Sequence, residues 1–244
     1  MTGRPALTVL FLLVGAAAST AIGFLLGLPW LLPILGAAVP YAVFFPCVRA
    51  GRYRAALGWV LLWAVFQSLA VGMGTGIAPE AAREAVFRGP PYAAEMLHWV
   101  RTGEGPEGSP RLFLPIHARH FAAFCVLSLV SLGGLGLVLG TILLNYMNFY
   151  VAELIRISTD PILALAMGWP IWAILRVAGF VAVGVGTAAL GMRFLARLRH
   201  RPEALPSPTR VLLLGVVLVL TDIVLKATLA PFWQGILKHA LTGL

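Results

Sequence analysis

The sequence predicts an all-α integral membrane protein, a polytopic bundle of about seven transmembrane helices with six as the alternative count. Three observations predict it. Of 244 residues, 60% are hydrophobic and only 11% charged, against roughly 45–50% and about 25% in soluble domains. Mean hydropathy is +0.92, more apolar surface than a soluble core of this length can hide, whereas a bilayer takes it as solvent. The apolar residues also fall in runs near the roughly 20 residues a spanning helix needs. The net charge of +9 marks topology rather than nucleic-acid binding, because the basic residues cluster at run ends.

Each element follows from these runs. Span one covers Ala6 to Gly27 and reads as a retained helix with no clear Ala-x-Ala cleavage site before Pro29, a signal peptide being the alternative. Leu28-Pro29-Trp30 gives a tight turn into span two, Leu31 to Val48, which carries Pro33, Pro40 and Pro46. Arg49, Arg52 and Arg54 separate it from span three, Ala55 to Ile77. A polar segment, residues 78–118, is inserted before span four, Phe121 to Tyr146. Span five starts at Pro161, with Asp160 as N-cap. Residues 161–195 read as a hairpin of two short spans with its tip near Arg176. Span seven covers Val211 to Ala230, followed by a short amphipathic tail. The whole chain, 1–244, reads as one membrane domain. Cys47 and Cys125 lie in apolar stretches near opposite faces, which disfavours a disulfide.

Lysine and arginine bias sets orientation. With the N-terminus cytoplasmic, the inner side holds Arg4, Arg49, Arg52, Arg54, Arg156, Arg193, Arg197, Arg199, Arg201 and Arg210. Its acids are Glu153, Asp160 and Glu203. The outer segment balances Arg83, Arg88, Arg101, Arg111 and Arg119 against Glu80, Glu84, Glu95, Glu104 and Glu107. Six spans would place the Arg193–Arg201 cluster outside, which favours seven. In the outer segment, residues 92–102 form an amphipathic helix with Tyr92, Ala93, Met96, Leu97, Trp99 and Val100 on one arc. That pattern predicts an interfacial helix with Trp99 and Tyr92 at headgroup level.

Several constellations could carry function. Asp222 is the only acid inside a predicted span, and Lys226 lies one helical turn on, so the two can pair. Intramembrane charges usually face a bundle interior or water cavity and mark ion or substrate paths. Glu95-x-x-His98 and His117-x-x-His120 offer four N/O ligands on the outer face, a set that would suit zinc, iron or copper. Gly15, Ser19, Gly23 and Gly27 on span one, and Gly136 and Gly140 on span four, form small-residue ridges that let helices touch, within the fold or with a partner subunit. Asn145, Tyr146, Asn148, Tyr150, Glu153, Arg156 and Asp160 form a polar and aromatic stretch assigned to the cytoplasmic surface.

The Asp222-x-x-x-Lys226 spacing also resembles the last helix of microbial rhodopsins over one helical turn. That resemblance implies Lys226 as a retinal attachment point. In the orientation above, the lysine helix runs opposite to that of ordinary rhodopsins, as in heliorhodopsins.

The chain contains no Gly-x-Ser-x-Gly, no His-Glu-x-x-His, no phosphate-binding loop and no paired acids within a span. Nucleophile activation and metal hydrolysis need such groups, so an enzyme is disfavoured. The leading expectation is a membrane-embedded subunit of a larger complex in a prokaryotic plasma (inner) membrane. Its partners would be the lipid bilayer and other protein subunits, or further copies of itself, and not nucleic acid. The alternative is a small secondary transporter or channel with a path lined by Asp222 and Lys226. An outer-face metal-binding protein and a retinal protein are minor alternatives. No cofactor follows from the sequence.

Overall fold

A computed structural model describes residues 5–200 and 205–243. Arg4, Arg201 and Glu203, placed above on the inner side, lie outside the described residues. The described chain is helical, with ten α-helices and one short 3-10 turn. Seven helical stretches are long and apolar enough to cross a membrane. They are α1 (Pro5–Leu26), α2 (Leu31–Arg49), α3 (Tyr53–Ile77), α6 (Pro110–Val130), α7 (Gly134–Ile157), the broken pair α8 (Pro161–Met167) and α9 (Ile171–Leu198), and α10 (Thr209–Thr242). Between α3 and α6 lie α4 (Pro79–Ala85), α5 (Gly89–Thr102) and the turn Pro106–Gly108.

The predicted count of seven stands, but predicted spans four to seven differ from their bounds, α6 starting at Pro110 inside the predicted outer segment and α10 continuing through the predicted tail to Thr242. Predicted span four is cut in two by a turn at residues 131–133. Ser131 Oγ donates to Leu127 O and accepts from Leu135 N, and Gly133 N reaches back to Ser128 O. Gly133 adopts φ +97° against the Phe44 ring, a conformation and a closeness that only a residue without Cβ tolerates. The predicted hairpin at 161–195 is instead one crossing. It breaks at Gly168-Trp169-Pro170, where Pro170 lacks an N–H and takes an extended backbone, φ −66° and ψ 147°. Trp233 Nε1 donates to Met167 O at 2.8 Å, satisfying a carbonyl at the break. At the start of α8, Asp160 caps Leu163 N at 3.0 Å, as its position before Pro161 predicts.

Because a turn was added before α7, its direction reverses. The end of α7 therefore joins the α4–α5 segment rather than the basic end. Glu153 contacts Arg156 at 2.7 Å and Arg83 at 3.7 Å. The assignment of Glu153, Arg156 and Asp160 to the inner side is thus overturned. Asn145, Asn148 and Tyr150 are buried in the bundle rather than at a surface. Asn145 Oδ1 accepts from Gln67 Nε2 and Asn148 Nδ2 donates to Ser68 Oγ, tying α7 to α3.

One end of the bundle carries the turns α2–α3, α6–α7 and α9–α10, joined where Tyr53 Oη donates to Pro206 O. Every described acid except Asp222 lies at the other end. That end is capped by α4, α5, α8 and the last turns of α10. At ~1.5 Å per residue α10 is about 51 Å long, well beyond the ~30 Å hydrocarbon layer, so its end reaches the cap. There Gln234 Nε2 donates to Val100 O at 2.6 Å. The predicted amphipathic arc of α5 is its buried face, but it packs on protein. Trp99 is 2% exposed, within a core with Phe149, Leu154, Trp172 and Leu237. The headgroup placement of Trp99 is therefore corrected: α7 and α10 cover the apolar arc before lipid can.

The small-residue ridges are used within the chain. A Cβ on Gly15 would strike Val39 and one on Gly23 would strike Leu32, so α1 seats against α2. Gly136 faces Ser128 and Gly140 faces Phe124, closing α7 on α6. Ser19 is buried and donates to Ala16 O, while Gly27 takes φ +61° beside Glu84 at the α1–α2 turn. Cys47 and Cys125 are free thiols.

Candidate functional site

Four charged side chains from three parts of the chain meet inside the capped half. Arg176 stands on α9, one and a half turns from the Pro170 break. Its Nε donates to Asp222 Oδ2 at 2.9 Å and its Nη2 to Asp222 Oδ1 at 2.8 Å. This is the parallel two-bond pairing that arginine makes best. Neither bond uses Nη1. Lys226, one turn beyond Asp222 on α10, donates to Glu107 Oε2 at 2.7 Å. Its Nζ also lies 4.4 Å from the centre of the Phe113 ring, a favourable contact for a desolvated ammonium.

Asp222 and Lys226 are buried, as expected of intramembrane charges, but they do not pair with each other. Each faces a different neighbour: Asp222 points to α9 and Lys226 to the Pro106–Gly108 turn. Arg176, assigned above to an exposed hairpin tip, is instead inside α9 with its side chain 23% exposed. An arginine in an apolar helix without an acid on that helix must find one on a neighbour, because an unpaired charge there is costly. With Arg176 placed inside α9, Asp222 is the acid on the neighbouring helix that meets it. Glu107 was hidden in a Gly- and Pro-rich loop, Gly103 to Pro110, with no periodicity to mark it.

Burial alone would raise the Glu107 carboxyl, but Lys226 and Arg176 beside it outweigh burial and hold it below its ordinary value. The Trp172 indole N–H leans toward the same carboxylate, without meeting hydrogen-bond geometry. Tyr92, half-buried on α5 near Glu107, is pushed well up by desolvation first and by that negative charge second. Its ring packs on Tyr146 at 4.3 Å. Tyr92 is therefore a neutral hydroxyl, here donating to Met147 Sδ.

The cluster forms the polar end of a partly enclosed cavity of about 150 Å³, room for about five waters at ~30 Å³ each. Arg176, Lys226, Glu107, His117 and His120 line that end. The rest is apolar, passing Phe124, Phe180, Val181 and Leu137 to Gly133 and Phe44 near the basic end. Its lining on α6 runs from Phe113 to Ser128, about 22 Å of helix, against a hydrocarbon thickness of ~30 Å. The cavity thus runs from the charge cluster along most of the length of α6.

The predicted ligand quartet divides. Glu95, His117 and His120 line the cavity, while His98 is exposed on α5. Among the described residues no three His, Cys, Asp or Glu side chains come together as a metal site. His117 Nδ1 lies 3.0 Å from Phe113 O, so it carries the proton there, and its buried Nε2 is an unpartnered acceptor. Lys226, on which the rhodopsin-like spacing rests, is held by Glu107, and α10 packs chiefly along α9, with α8, α5 and the Pro106–Gly108 turn as further neighbours. No protein-family model, curated protein or solved structure compared with this chain matches it.

Proposed function

We propose that this integral membrane protein is a small transporter whose substrate engages the Glu107–Lys226–Arg176 end of the cavity. The observation that carries the reading is the joining of four clustered charges, Asp222 and Lys226 fully buried, to a cavity lined along about 22 Å of α6. A structural salt bridge needs no cavity, and buried charges in membranes are retained chiefly where a substrate or ion passes. The helix break at Pro170 lies near Arg176, the kind of interruption that transporters place beside binding sites. By the positive-inside rule the Arg49–Arg54 and Arg193–Arg199 end faces the cytoplasm, which puts the charge cluster toward the outer face. A prokaryotic plasma membrane is the expected setting.

The test is uptake into proteoliposomes holding the purified chain, with organic anions and cations offered outside. Protein-dependent uptake should disappear in Asp222→Asn and Lys226→Met while both remain monodisperse in detergent. Uptake that survives both substitutions unchanged would sink the reading.

A second reading, the subunit of a larger complex, keeps one specific support. The ridges on α1 and α7 are occupied within the chain, but Gly72 and Gly76 on α3 have open space around them. Their four-residue spacing suits close approach of another helix. Gentle extraction followed by mass spectrometry should then find a stoichiometric partner that Gly72→Leu removes.

A further inference from the structure

The transport reading leaves the substrate open, and the inference here rests on that reading while naming the class. We propose that the cavity takes a single-chain amphiphile with a monoanionic headgroup. The headgroup lies on Lys226 and Arg176, and the chain runs between α6, α7 and α9 toward Gly133.

Charge is the first argument. Three of the four clustered charges sit on spanning helices: Arg176, Asp222 and Lys226. The two-bond grip of Arg176 on Asp222 fixes those two to each other. Glu107 alone stands on a short turn, preceded by Gly103 at φ +79° and Gly105 at φ +124°. Two cations and one fixed anion leave a net charge of +1, which Glu107 neutralises. A turn-borne carboxylate is thus the occupant of a site built for one carboxylate-like group. When it swings aside, an incoming monoanion meets Lys226 and the unused Nη1 of Arg176, which lines the same cavity.

The second argument is the shape and chemistry beyond the charges. The cavity continues as a hydrocarbon slot past Phe124, Phe180 and Val181. Gly140 and Gly184 thin its walls on either side of Phe124. An alkyl chain gains little by leaving lipid for protein, because lipid tails are as apolar as leucine. Discrimination therefore resides in the headgroup, and the slot need only admit the chain. A small hydrophilic anion would leave the slot empty, and an uncharged chain would leave the cations with Glu107.

The experiment is equilibrium binding to the full chain in nanodiscs. Tritiated octanoate and methyl octyl phosphate probe the carboxylate and the monoanionic phosphodiester headgroups, with chains short enough for a cavity of about 150 Å³. Acetate offers a head without a chain, and octanol a chain without a charge. One or both anionic amphiphiles should bind, and neither control should compete. Lys226→Met should weaken binding about tenfold, as expected for loss of one charge-assisted contact. Val181→Phe should exclude the chain. Glu107→Gln should tighten binding, since it removes the competing carboxylate; misfolding cannot produce that sign. Competition by octanol, or weaker binding in Glu107→Gln, would overturn the proposal. Failure of both amphiphiles, with Lys226-dependent uptake of a hydrophilic solute intact, would overturn the ligand class and leave the transport reading standing. Amphiphile binding without any uptake would uphold the ligand class and remove transport.

Discussion

The two ion pairs of the cluster lie within one helical turn of each other on α10, yet they are built differently. Arg176 and Asp222 join two long helices that pack along their lengths, by two hydrogen bonds, with Asp222 0% exposed. Lys226 and Glu107 join a helix to a three-residue turn, by one hydrogen bond, with Glu107 13% exposed. The first pair can break only if α9 and α10 separate. The second needs only a turn of loop backbone to move. The difference teaches that a buried charge is not one kind of feature: one pair fastens two long helices and the other ties a turn to the polar end of the cavity.

Breaking the helix pair should have the largest effect. Asp222→Leu leaves the Arg176 guanidinium unpaired in an apolar surrounding, expected to cost about 3–5 kcal/mol. Thermal unfolding in detergent should show a large drop in Tm, and the double variant Arg176→Met/Asp222→Leu should recover most of it. A double variant as unstable as the single one would show that the pair does not act as a unit.

Breaking the loop pair should matter less to stability and more to pH response. Glu107 has a folded value lowered from its ordinary 4.5, so it binds protons less readily folded than unfolded. Its stabilisation is complete above pH 4.5 and is lost as pH falls through the lowered folded value. Glu107→Gln should flatten the acid limb of the Tm–pH curve while changing Tm at neutral pH by only a few degrees. An unchanged acid limb would show that Glu107 is not the titrating group. The smallest effect belongs to Trp233→Phe, which removes the indole bond to Met167 O at the α8–α9 break. About 1 kcal/mol is expected, read as earlier hydrogen exchange around Gly168.

Much of the fold was legible in the sequence, since apolar run length alone counts spans, and the counting errors have identifiable causes. The Phe121–Tyr146 run has no charge to interrupt it, so its turn was signalled only by Gly133-Gly134, a turn dipeptide that also resembles a packing ridge. Arg176 looked like a loop because one charge in an apolar stretch reads as a boundary. It is a span interior because its counter-charge lies 46 positions away, beyond any local pattern. The two errors offset each other in the count but not in direction, which is why Arg156 was placed at the wrong end. At the site, Asp222 and Lys226 stood out because charges are rare in spans. Their partners did not, because pairing across helices and from a loop carries no sequence period.

The separation of Arg176 from Asp222 along the chain also bears on how the protein is made. Synthesis runs from the N-terminus, so α9 is available for insertion before the acid that neutralises it exists. A lone arginine at membrane depth costs about 2.5–3.5 kcal/mol on insertion scales, offset by the otherwise apolar helix but not removed. Complete burial of α9 must wait for α10, which makes the last two crossings a single unit of biogenesis. A chain stopped after Leu198 would then hold five crossings firmly and its sixth only loosely.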